Sequence, residues 1–181
     1  MKAQFNDPLL LAGKILTILM QGIMAFAAVV LMVVTPLVIF YRESINAEIV
    51  AEHGATAAGF PTMPIVVLLL IVIAVLAITF LFFGKLRAII ATVGERDPFV
   101  PENATRLNRM AWLLLAGQVL MIPVAGLALL VAKWADKFEH QNIHIDGGLD
   151  LTGILMVVVL FILARVFKLG AAMREDLEGT V

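Results

Sequence analysis

Three histidines and a few polar side chains are the only groups in this chain with the types and spacing for chemistry. Asp136, His140 and His144 stand at i, i+4 and i+8. On a helix they would share one face, and His and Asp donors so arranged can take a divalent metal. Glu52 and His53, in a separate polar stretch, can complete such a set. The competing reading is a solvated loop. Gly147-Gly148 and the polar–apolar alternation of Asn142–Asp146 favour a short strand or extended piece over a helix through His144. Catalysis has less to work with. Ser44 is the only serine and cysteine is absent, so no serine or cysteine nucleophile stands beside a base. Disulfides and thiolate metal sites are excluded as well. No cofactor is implied, and the chain is not expected to be an enzyme.

Gln21, Gln118 and Arg165 are polar groups inside apolar stretches. They can mark a solute path. Interhelical hydrogen bonds, averaging about 0.6 kcal/mol in lipid, account for the two glutamines more simply. Arg165, near the end of its stretch, reads either as a pore charge or as a snorkelling or loop-paired arginine. No Asp or Glu interrupts the four apolar stretches, which argues against a proton-coupled carrier.

The elements that must hold these residues follow from composition. The 181 residues are 62% hydrophobic and 15% charged, with a mean hydropathy of +1.03. A soluble domain is nearer 45–50% apolar and about 25% charged. The chain is therefore read as a single integral membrane domain over 1–181. Four apolar segments stand out: Ile15–Tyr41, Pro64–Phe83, Ala111–Ala132 and Leu151–Leu169. About 20 apolar residues cross a hydrocarbon core of about 30 Å. The fourth segment does so with Arg165 and Lys168 snorkelling to the interface. Lipid leaves backbone groups no other partner, so all four are helices. The fold expected is all-α, a four-helix membrane bundle, with helices over about 8–44, 64–95, 101–137 and 149–177. The first apolar run, continuing to Tyr41, is too long for the 7–15-residue core of a signal peptide.

Charge sets the orientation. Ten of the thirteen Lys and Arg residues lie in the N-terminal tail, the middle loop and the C-terminal end. The positive-inside rule places those three regions in the cytoplasm of a bacterial inner-membrane protein, with both termini inside. The other two loops are acidic on balance. The net charge of −1 gives no reason to expect direct contact with nucleic acid.

Local signals refine the spans. Asp7-Pro8 is a helix start, as cap and first position. Thr35-Pro36 should bend the first helix near its outer end. Leu86, Ile89, Ile90 and Val93 fall on one face of a cytoplasmic extension of the second helix. Pro123 should bend the third.

The most polar stretch is Gly94–Trp112. In Asp97-Pro98-Phe99-Val100-Pro101, an Asp and two prolines make a rigid turn. Pro101 suits the first position of a new helix, and Glu102 favours its positive end. Glu102, Arg106 and Arg109 line one face, with Leu107, Met110 and Leu114 opposite. Trp112 stands where the helix enters lipid. The second and third helices thus join in a cytoplasmic hairpin with Phe99 near its tip.

These residues carry a resemblance. DPFVPEN-x-x-RL-x-R-x-x-W, with VFKLGAAMREDLEGTV at the end of the chain, resembles the bacterial membrane family named domain of unknown function 2975. The likeness covers nearly the whole chain. It departs at Asn108, where a basic residue is expected, at Ala111, where glycine is expected, and at Leu169, which replaces a more polar residue. The basic patch left for a phosphate or lipid headgroup is correspondingly smaller. The family has no established enzyme activity. The resemblance implies a membrane-bound control protein whose cytoplasmic face sequesters or releases a small helix-turn-helix regulator of the Xre type. That face maps to Asp97, Pro98, Phe99, Glu102, Asn103, Arg106 and Arg109, with Arg174, Glu175 and Asp176 from the tail. The same residues also suit a purely architectural role, with Arg106 or Arg109 bridging Glu175 or Asp176. A small-solute transporter or channel subunit, from Gln21, Gln118, Pro36 and Pro123, and an outer-face metal sensor, from His140 and His144, are the alternatives. A homo-oligomer is compatible with all three.

Overall fold

The computed structural model describes residues 7–54, 59–95, 97–139 and 150–178. Among the described residues five helices follow in order: α1 Pro8–Phe40, α2 Arg42–His53, α3 Thr62–Gly94, α4 Pro101–Glu139 and α5 Leu151–Glu178. No strand occurs among the described residues. Four helices, all but α2, are long and apolar enough to cross a membrane. This is a multi-pass, all-helical membrane protein.

The ends of the helices are written locally. Asp7 Oδ1 accepts the Leu9 N–H at 2.9 Å, so Asp7 caps α1 and Pro8 takes the first position, where a missing N–H costs nothing. The helix expected over 8–44 is two helices. α1 runs through Pro36 and stops at Phe40, and α2 begins one residue past Tyr41. Pro36 supplies no N–H, and the Thr35 hydroxyl bonds the Leu31 carbonyl at 2.7 Å. The regular ladder yields about a turn later, at Tyr41. α2 ends at Gly54, whose φ of 87° suits a residue without Cβ. α5 is capped by Asp150, which accepts the Thr152 N–H on Oδ1 at 3.0 Å. The extended piece expected over Asn142–Asp146 lies outside the described residues.

The chain divides into two compact units. Unit 1 comprises Met1–Ala25, Ala77–Gln118 and Asp150–Val181. Its core is Ile89 of α3, Leu107, Met110 and Ala111 of α4, and Leu160 and Ala164 of α5. The amphipathic reading of the α3 extension holds: Leu86 and Val93 pack against this core around Ile89. On α4 the buried positions Asn103, Ala104, Leu107, Met110 and Ala111 form one stripe at helical spacing. On α5, buried Gly153, Val157, Leu160, Ala164 and Ala171 do the same. Small residues in these stripes let helix backbones approach closely.

Unit 2 comprises Phe26–Leu76 and Val119–Leu149. Its described cross-links include one hydrogen bond and one ring pair. Asn46 Oδ1 accepts the Phe60 N–H at 2.7 Å, and the Phe60 and Trp134 rings meet edge to face, 5.6 Å between centroids.

Candidate functional site

The turn between α3 and α4 is built around Asn103. Its side chain is wholly buried and every arm is used. Nδ2 donates to the Thr92 hydroxyl at 2.7 Å and to the Pro98 carbonyl at 2.9 Å. Oδ1 accepts from Arg106 Nη1 at 2.7 Å, and the same guanidinium reaches the Ala88 carbonyl at 3.4 Å. Thr92 passes its own hydroxyl proton to the Ile89 carbonyl at 2.8 Å. The end of α3, the Pro98 turn and the first turn of α4 are therefore one hydrogen-bonded piece. Burying an amide this deeply is tolerable only because it is fully paired.

α5 closes against that piece at two points. Phe99 packs on Phe167 with centroids 5.3 Å apart. Gly170 leaves room for it, since a Cβ there would lie 2.6 Å from the Phe99 ring. Beyond them Arg174 pairs with Asp97. The two sequence stretches quoted above, one around Phe99 and one ending the chain, thus meet in space. Phe167 and Gly170 had been visible in VFKLG without an assigned role. Their partner became apparent only in three dimensions.

The ten residues proposed as a contact face divide accordingly. Asn103 is buried and cannot touch a partner, which corrects its place in that set. A buried amide with three partners inside its own chain is architectural. Arg106 turns inward to Asn103 and Ala88, off the charged face that its spacing from Glu102 and Arg109 suggested. Arg174, rather than Arg106 or Arg109, joins tail and loop, through its pair with Asp97. Pro98 gives its carbonyl to Asn103, and Phe99 is half-covered by Phe167. Glu102, Arg109, Glu175 and Asp176 remain exposed.

The intramembrane polar groups do not converge. Gln21 Nε2 donates to the Phe80 carbonyl at 3.2 Å, beside Gly84. Gln118 Nε2 donates to Asp150 Oδ2 at 3.4 Å, where Gly153 is needed because a Cβ would run into the Gln118 amide. Each glutamine ties a different helix pair. Arg165 is exposed on α5 and lines a groove of about 870 Å³ between α4 and α5. Among the described residues no three His, Asp or Glu side chains come together to hold a metal. Asp136 is exposed on α4, while His140 and His144 lie outside the described residues.

The model of a family described as protein of unknown function (DUF2975) matches residues 45–181. No curated protein and no solved structure matches the chain.

Proposed function

The chain belongs to this DUF2975 family, and from that premise we propose that it is a membrane-embedded anchor for a cytoplasmic protein. The partner is a small helix-turn-helix regulator of the Xre type, which the anchor sequesters or releases. The observation that carries this reading is the composite surface of unit 1. The α3–α4 turn is locked by Asn103 and joined to α5 by Phe99–Phe167 and Asp97–Arg174. A rigid platform loses little conformational freedom on binding, which favours affinity. Around it Glu102, Arg109, Glu175 and Asp176 stay exposed, a mixed-charge fringe that can set register and exclude wrong partners. Ten of the thirteen basic residues fall in unit 1, and this supports a cytoplasmic location for it in the inner membrane. No catalytic constellation is invoked.

Retention of the regulator by membranes tests the proposal. The full chain is co-expressed with a tagged regulator, and the membrane-bound fraction is measured. The double charge reversal Glu102→Lys/Arg109→Glu should lower retention about tenfold, the equivalent of about 1.4 kcal/mol, with no loss of protein from the membrane. Phe99→Ala should lower it too, by loosening the platform. Unchanged retention in both variants sinks the assignment of this surface.

A further inference from the structure

The groove between α4 and α5 carries an inference of its own. Its floor is made of small side chains, Ala104, Ala164 and Ala171. Its lips are polar. Arg165 and Lys168 come from α5, with Thr105 and Asn108 across from α4. Both cations are exposed, and among the described residues neither makes an ion pair or a hydrogen bond. They stand at i and i+3, so both charges reach the same stretch of groove. Glu175 lines the groove two turns past Lys168, which concentrates the positive potential toward Phe161. At that end Trp112 meets Phe161 edge to face at 5.5 Å, with Trp112 itself 59% exposed. An exposed tryptophan beside the end of an apolar span is the arrangement found at headgroup level.

We infer that this groove binds the headgroup of an anionic glycerophospholipid from the adjacent leaflet. Arg165 and Lys168 hold the phosphate as charge-assisted donors. The Asn108 amide offers a neutral hydrogen bond from the other lip, and the Thr105 hydroxyl offers a second by turning from the Pro101 carbonyl, which it meets at 3.5 Å. The first acyl segment lies toward Phe161 and Trp112. Basic pockets between transmembrane helices are suited to acidic headgroups, and a volume of about 870 Å³ falls in the range of roughly 300–1,000 Å³ typical of small-molecule sites. Two unpaired cations above an apolar floor at interface depth complement a lipid, which supplies both phosphate and hydrocarbon. The site does not depend on any protein partner.

The test uses the purified full chain in non-ionic detergent, titrated with phosphatidylglycerol or with phosphatidylcholine of the same acyl chains. Native mass spectrometry counts the lipid retained. One phosphatidylglycerol should be held with at least about tenfold preference, given a contribution of roughly fivefold from each cation. Arg165→Gln/Lys168→Gln should abolish the preference. The exchange Arg165→Lys/Lys168→Arg, which keeps both charges, should preserve it, as should Arg87→Gln/Lys133→Gln at exposed sites elsewhere. Equal retention of the two lipids overturns the proposal, and so does a preference that survives the double Gln variant. If that variant does not fold, Ala172→Leu narrows the groove and leaves both cations, and retention unchanged by it is equally fatal. Complete displacement of the lipid by millimolar inorganic phosphate would make this a free-phosphate site. A dimer that dissociates as lipid binds would make the groove a seat for a second copy. Either result overturns the lipid assignment.

Discussion

The two ends of α4 work differently. Over Asn103–Ala111 one stripe is buried against α3 and α5, and a buried amide there is bonded to three neighbours. Beyond Leu113 the same helix buries no side chain among those described. The contrast extends to the units. Among the described residues, Thr35 is the only buried one in unit 2. The first half of α4 is held by protein, through specific polar bonds and close packing. The second half presents Val119, Ile122 and Leu130 outward, a surface suited to hydrocarbon. The specific geometry of the α3–α4 turn is placed where protein, and not lipid, supplies the contacts.

The largest effect should come from Asn103→Ala. It strands the Pro98 carbonyl, at about 1–3 kcal/mol, and removes the bonds to Thr92 and Arg106, at about 1 kcal/mol each, while Arg106 keeps the Ala88 carbonyl. We expect a loss of about 3 kcal/mol or more in detergent unfolding. Asn46→Ala, which removes a single bond in unit 2, should cost only about 1 kcal/mol. Equal losses would erase the distinction between the units.

Gly170→Ala comes next. Its Cβ would push Phe99 off Phe167, and overpacking of this kind costs about 1–3 kcal/mol. Thermal unfolding would show it, and the double variant Gly170→Ala/Phe99→Ala should recover part of the loss. No recovery would mean that Phe99 is not what Gly170 accommodates.

The smallest effect belongs to Asp97 and Arg174. Both side chains are partly exposed, and surface ion pairs contribute about 0–1 kcal/mol. A double-mutant cycle with Asp97→Ala and Arg174→Ala should give a coupling below about 1 kcal/mol that shrinks in high salt. A coupling of several kcal/mol, insensitive to salt, would place this pair among the principal locks of the platform.

Much of the fold was legible because membrane chemistry allows few solutions. Long apolar runs must be helices, and Asp7-Pro8 and Pro101-Glu102 mark starts by local backbone physics alone. The spacing of Leu86, Ile89 and Val93 gave the packed face of α3, and Leu107 with Met110 gave that of α4. The site was legible only in part. Asn103 and Arg106 looked like surface residues because helical spacing assigns a face without saying what covers it. The capping role of Asp150 shows only once the start of α5 is known. Asn108 suggested a reduced basic patch on α4, while the cations of that groove, Arg165 and Lys168, come from α5, more than fifty residues later in the sequence.

By itself the sequence determined the all-helical membrane class, the number of long apolar helices and most of their ends. Hydrophobic length, periodicity and caps are local properties, and lipid enforces them. The resemblance placed the DPFVPEN turn and the tail on one face, and only the tertiary structure decided which residues join them, Phe99 with Phe167 and Asp97 with Arg174. It also decided which charges turn inward and which stay exposed. Those outcomes rest on pairings between residues some seventy positions apart, such as Phe99 with Phe167 and Asp97 with Arg174. No local pattern specifies them.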